Sequence, residues 1–152
     1  MRFLNLLMRG PRSRSGNAAI EFALVSPLFF VLIAGLVEIG FATRESMQAQ
    51  MSAETGAGYA VKYGWDAAAI STAVTQAAGR TDITATPAPT TFCGCPDASG
   101  ITPADCTATC TGGGAPSQYV RVQASIPHNA ILPYLGLPIP PTQTAVAVTR
   151  IK

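Results

Sequence analysis

The chain reads as an α+β protein: a long N-terminal transmembrane helix, then a short helix and a small antiparallel sheet with a disulfide-stapled loop. Three observations predict this. An apolar run near the N-terminus is long enough for a bilayer, two late segments alternate apolar with polar residues, and ten of the twelve prolines lie from Pro87 onward. At 152 residues there is room for one modest domain beyond the helix. Charged residues make up 12% of the chain, hydrophobic residues 48%, and the mean hydropathy is +0.29. Soluble domains carry roughly 25% charged residues. The shortfall argues against an ordinary cytosolic globule and excludes a charge-rich disordered chain.

The apolar run comes first. Phe22 to Val37 is sixteen residues without a formal charge, and the stretch from Ala18 to Ala42 is interrupted only by Glu21 and Glu38. A bilayer core needs about 20 mostly apolar helical residues, and lipid offers no partners to an open backbone, so the segment must be helical. Charge around it is segregated. Arg2, Arg9, Arg12 and Arg14 precede it with no acid among them, whereas from Asn17 onward six basic residues face eight acids. The positive-inside rule then places the N-terminus in the cytoplasm. No basic patch remains to neutralise a run of phosphates, so nucleic-acid binding is not expected. The expected organisation is a basic leader over 1–16, a transmembrane helix over 17–43 and an extracytoplasmic domain over 44–152.

Three residues interrupt the apolar character. Pro27 removes one backbone bond and bends the helix, which membrane helices tolerate. Glu38 sits about one turn from the end of the stretch, where its carboxylate reaches toward the headgroups. Glu21 is more costly. A carboxylate near the start of a membrane helix marks a functional site whose partner must be named.

The partner follows from the text Arg14-Ser15-Gly16-Asn17-Ala18-Ala19-Ile20-Glu21-Phe22. A basic leader ends in glycine, and a glutamate lies fifth after it, followed by an aromatic residue. This resembles the type IV prepilin processing motif. The resemblance implies cleavage between Gly16 and Asn17 by a prepilin peptidase, with Glu21 and Phe22 recognised during processing and assembly. In pilins the glutamate is thought to meet the new N-terminal amine of a neighbouring subunit. Such a buried pair costs less than either charge alone. Gly16 also leaves room for backbone approach in a protease cleft.

The stretch from Gly16 to about Tyr63 is similar to the TadE-like family of the tight-adherence (Tad, or Flp) pilus system. The shared elements are Glu21-Phe22-Ala23-Leu24, Pro27, Gly35-Leu36-Val37-Glu38-Ile39-Gly40 and an Ala- and Gly-rich amphipathic helix. The resemblance implies a minor pilin or pseudopilin with a pilin-like helix. Its partners would be the membrane, a prepilin peptidase, other pilin and pseudopilin subunits and the pilus assembly platform. Its place would be the bacterial inner membrane, single-pass, with the C-terminal domain periplasmic, or a surface pilus after assembly. The alternative is a non-polymerising membrane-anchored adhesin or scaffold, with the helix as a plain anchor. A tethered periplasmic enzyme is a third class.

Beyond the membrane, a helix running from Asn17 to Tyr63 would span about 70 Å at 1.5 Å per residue. Met47, Met51, Gly58 and Lys62 recur near helical spacing, and Ala49, Ala53, Ala57 and Ala60 supply small residues for packing on the domain's own sheet or on neighbouring subunits. Gly64 breaks the helix. Asp66 is the N-cap expected for a second helix over Ala67–Ala78, stopped by Gly79. Strands are expected at Thr81–Thr86, Gln118–Ile126 and Thr142–Ile151. In the second, Val120, Val122, Ala124 and Ile126 share one face. Between the last two strands, Ile131, Leu132, Tyr134, Leu135 and Leu137 belong to an apolar, proline-rich link, either core cover or contact surface.

Cys93, Cys95, Cys106 and Cys110 all lie in the exported part, where the compartment permits disulfides. Cys93 and Cys95 are too close for an easy mutual bond, so each is expected to join Cys106 or Cys110. Zinc fits neither these spacings nor the compartment, and no metal or cofactor is expected. His128, the only histidine, reads as a solvated loop residue, and Asp97 and Asp105 as isolated loop acids. No nucleophile with a base, acid pair or phosphate loop can be assembled, so no enzyme activity is expected.

Overall fold

A computed structural model describes residues 15–98, 100–131, 136 and 138–151. The expected leader up to residue 14, and Leu132, Tyr134, Leu135 and Leu137 of the proline-rich link, lie outside the described residues. Six elements follow in order: helix α1 (Ser15–Tyr63), helix α2 (Ala67–Ala77), and strands β1 (Thr90–Asp97), β2 (Gly100–Pro103), β3 (Ser117–Pro127) and β4 (Thr142–Arg150). Packing divides the chain into two units, Met1–Val37 and Glu38–Lys152. In the first, the described residues are the opening turns of α1, and the helix runs on through Pro27.

The second unit is a helix pair with a four-stranded antiparallel sheet in the order β2-β1-β3-β4. Both helices stop on glycines that adopt left-handed backbone, Gly64 at φ 90° and Gly79 at φ 61°, a conformation costly for any residue with a Cβ. The Gly64 N–H returns to the Ala60 carbonyl at 3.0 Å. Asp66 then caps α2, its carboxylate accepting from Ala68 N at 2.9 Å and Ala69 N at 3.0 Å. Such a cap contributes about 1 kcal/mol.

The core lies where α1 presents its smallest side chains. Ala49, Ser52, Ala53, Gly56, Ala57 and Ala60 recur at helical spacing and are all buried. Against them lie Ile70 and Val74 of α2, Ile83, and Val120, Val122, Ala124 and Ile126 of β3. Each fully buried Ile or Val contributes roughly 1.5–3 kcal/mol. The four alanines of the expected stripe therefore pack the domain's own core, while Met47 and Met51 remain 63% and 64% exposed. Gly56 sets the spacing. A Cβ there would stand 2.5 Å from Val74 Cγ2 and 3.0 Å from Val122 Cγ1.

Strand expectations fare unevenly. Those for β3 and β4 hold, and the register pairs Val122 with Ala147 and Ala124 with Ala145. On β4 the small face turns inward, leaving Val146 and Val148 outside. The expected strand at Thr81–Thr86 shrinks to a single bridge, Thr84 with Ser125. Pro87 and Pro89 follow at once and lack the N–H that further pairing needs. β1 and β2 were not expected, because Gly94, Pro96, Gly100 and Pro103 read as loop. β1 nevertheless pairs with β3 from Thr90↔Arg121 to Gly94↔Ser117. Cys93 bonds Cys106 and Cys95 bonds Cys110, with Cα–Cα distances of 5.1 and 5.5 Å. Successive residues of a strand point to opposite faces, so the C-x-C spacing puts both sulfurs on one side.

Two stability measurements check this packing. Gly56→Ala is expected to lose about 1–3 kcal/mol to overpacking, partly offset by its better helix propensity. Gly58→Ala, exposed on the same helix with nothing within 4 Å of the added Cβ, is expected to be neutral or to gain up to about 1 kcal/mol. Equal losses from both would contradict the close approach. Removing the outer bridge with paired Cys95→Ser and Cys110→Ser is expected to cost about 2–4 kcal/mol in denaturant unfolding.

Candidate functional site

Two groups of residues stand apart from simple packing. The first is the opening of α1. Ile20, Phe22, Leu24, Val25, Leu28, Phe29 and Phe30 all face outward, and the apolar side chains that follow to Val37 are likewise exposed. By length and composition this is the one described helix able to cross a membrane, with a mean hydropathy of 2.4 in its most apolar window and none of that window buried. Gly16 sits in open space on the first turn. Asn17 and Glu21 are one turn apart, and the Asn17 Nδ2 donates to Glu21 Oε1 at 3.4 Å. Phe22 beside them is 73% exposed. Pro27 lies within the helix five residues on.

The second group is a row of charges in the Glu38–Lys152 unit, buried at one end and open to solvent at the other. Glu38 and Glu45 are seven residues apart on α1, close to two full turns, so both carboxylates point the same way. β3 ends at Pro127, and the backbone N–H of His128 donates to the Pro141 carbonyl at 2.8 Å, which pins the start of the link to β4. That contact carries the imidazole between the two acids. Nδ1 lies 2.6 Å from Glu45 Oε2 and Nε2 lies 3.0 Å from Glu38 Oε1. The backbone N–H of Ile131 donates to the same Glu38 carboxylate, at 3.0 Å to Oε2. The His128 side chain is 4% exposed and that of Glu38 2%.

Arg80, just past α2, extends the row. Its Nη2 is 3.9 Å from Glu45 Oε1, its Nη1 donates to Gln48 Oε1 at 3.0 Å, and its Nε donates to Asp82 Oδ1 at 2.8 Å. Signs therefore alternate along Asp82, Arg80, Glu45, His128 and Glu38. The fork onto Asp82 raises the Arg80 pKa further and holds the Asp82 carboxyl below the usual carboxylate value. His128 is held above the ordinary imidazole value, first by its hydrogen bond to Glu45 and then, against the opposing effect of burial, by Glu38.

A neutral imidazole offers one donor and one acceptor, whereas two ionised carboxylates at these distances need two donors. With both acids ionised, the ring is therefore the imidazolium, donating from each nitrogen. This corrects the expectation of a solvated His128, and it moves Glu38 from the headgroups into the interior. Glu45, Arg80 and Gln48 were missed altogether. The one signal in the sequence was a pair of helical acids seven residues apart with no basic partner on their own face.

The remaining predicted positions are separate from this row. All four cysteines are in disulfides at the β1 end of the sheet. Asp105 there accepts from Thr107 N at 3.0 Å, which lowers its pKa, and Asp97 accepts from the Thr102 hydroxyl on β2.

The family model described as TadE-like protein matches residues 16–57. It begins at Gly16 and takes in Glu21, Phe22, Pro27, Glu38 and Glu45. No curated protein and no solved structure matches the chain. For the charge row, Arg80→Ala is expected to destabilise by about 1 kcal/mol, because the hydrogen bonds of a partly exposed arginine to Asp82 and Gln48 are largely offset by the solvation it gives up. Equilibrium unfolding of the variant beside the parent measures it.

Proposed function

We propose that the chain is a minor pilin or pseudopilin of a Tad-type pilus system, acting in pilus assembly, initiation or adhesion. In this reading residues 1–16 are a basic leader facing the cytoplasm, 17–43 span the inner membrane, with Glu38 in the last turns where the helix meets the domain's own His128, and 44–152 form the periplasmic domain. A prepilin peptidase cuts between Gly16 and Asn17. Glu21 and Phe22 then serve recognition and assembly: the freed amine of one subunit meets the Glu21 carboxylate of another, and each charge lowers the other's cost in lipid. The partners are the peptidase, other pilin and pseudopilin subunits, and the assembly platform.

The observation that carries this reading is the family match starting at Gly16 and running over the motif residues in one stretch. The exposed apolar first part of α1 supports it, since a stretch of that hydropathy needs lipid or other helices around it. Exposure of Asn17, Glu21 and Phe22 on one end of the helix leaves them open to a peptidase or to a second subunit.

Mass spectrometry of the protein recovered from membranes tests it. The expected mature chain starts at Asn17, Gly16→Leu leaves the longer form in the membrane, and Glu21→Gln stops assembly while leaving membrane insertion intact. Recovery of the intact leader together with normal piliation by Glu21→Gln would indicate a plain anchor, as in a non-polymerising adhesin or scaffold.

A further inference from the structure

The Glu38–His128–Glu45 trio is a connection between two parts of the chain 83 and 90 residues apart. On one side is α1. On the other are residues 128–131, which leave β3 and hydrogen-bond to α1 through the imidazole and the Ile131 N–H, both on Glu38 or Glu45. Ile131 itself is 57% exposed, so its side chain adds little apolar adhesion to that contact. Charge and hydrogen bonding therefore contribute to holding this stretch on the helix.

We propose that His128 is a proton-operated clasp: doubly protonated, it holds residues 128–131 against α1 through Glu38 and Glu45, and loss of one proton opens the clasp at Glu38.

The order of events follows from the distances. Among the described residues, the charged groups facing the ring are Glu38 and Glu45 from α1, with Arg80 behind Glu45 and Asp82 on the far side of Arg80. When the ring becomes neutral, its remaining proton stays on Nδ1, where the contact is the shorter of the two, 2.6 Å to Glu45 against 3.0 Å to Glu38. Nε2 then turns a lone pair toward Glu38 Oε1 at 3.0 Å. Two acceptors at that distance repel each other. Glu38 is left buried with the Ile131 N–H as its donor, and a buried carboxylate so poorly satisfied is costly. It regains solvent by letting residues 128–131 lift away.

The sign is fixed by linkage. A group whose pKa is higher folded than unfolded stabilises fully below its unfolded value, near 6.5 for imidazole, and loses that contribution as pH rises through the folded value. The clasp is therefore closed where the imidazole is doubly protonated and opens as pH rises through the raised folded value. The carboxylate of Asp82, held low by Arg80, behaves oppositely and loses its contribution only in acid.

The test uses the full chain in detergent micelles without a histidine tag, so that the single imidazole gives one set of nitrogen resonances. Its titration is followed beside hydrogen exchange of the Ile131 amide, corrected for the intrinsic pH dependence of exchange. The expected result is a His128 titration above 6.5 and a protection factor for Ile131 that falls at least tenfold over the same pH interval. Glu38→Gln is the diagnostic variant, because its amide can donate to the Nε2 lone pair of a neutral ring. It is expected to keep Ile131 protected across the whole range and to lower the His128 titration. If that variant does not fold, Glu45→Gln serves, with the titration again lowered. An imidazole titrating at or below 6.5 overturns the proposal, and so does Ile131 protection that ignores the ring's proton.

Discussion

The Glu38–Lys152 unit depends on how closely two elements can approach α1. Side chains no larger than a methyl or hydroxymethyl at Ala49, Ser52, Ala53, Gly56, Ala57 and Ala60 let β3 and α2 lie almost on the helix backbone. The large apolar groups in that contact come from the other side, from Ile70, Val74, Val122 and Ile126. Small against large is how a thin domain reaches interior packing density without voids. It also fixes the sheet, because β3 carries the hydrogen bonds to both β1 and β4. Strands that would not form from their own propensity are held there by their neighbour.

Charge plays a complementary part. Burial of Glu38 and His128 is tolerable only because each satisfies the other and the Ile131 N–H takes up the remaining oxygen. The row ends outward at Asp82, so that its net charge is met by solvent at one end and by backbone at the other. An apolar core specifies shape by volume. This row specifies which turn of α1 faces which residue of the link, something that a set of alanines cannot do.

What could be read in advance follows the same physics. Long elements with a strong period were legible: the apolar run of α1, the Asp66 cap, Gly64 and Gly79 as stops, and the alternation of β3 and β4. β1 and β2 were not, since Gly94 and Pro96 carry no strand preference and their pairing is imposed by β3 and the two bridges. The bridges themselves were half legible, because C-x-C limits the pairings without choosing between them. His128 was opaque for a different reason. A lone histidine among prolines has no pattern, and its two partners are recognisable only once the chain has folded back on α1. The motif at Gly16 to Phe22 was legible as text and depends on no tertiary contact at all.

The sheet has a further property that comes from its scarcity of formal charge. From Ile83 to Thr149 the Asp, Glu, Lys and Arg residues are only Asp97, Asp105 and Arg121, with His128 buried beside α1, and Asp105 is already engaged with its own turn. A surface like this projects almost no field beyond the screening length of about 8 Å in physiological salt. Anything that meets the β3–β4 face, where Val146 and Val148 look outward, is met by contact and shape instead of being drawn from a distance. Encounters there should be slow to start and nearly indifferent to ionic strength, which suits a domain kept concentrated beside its neighbours more than one that must find a distant target.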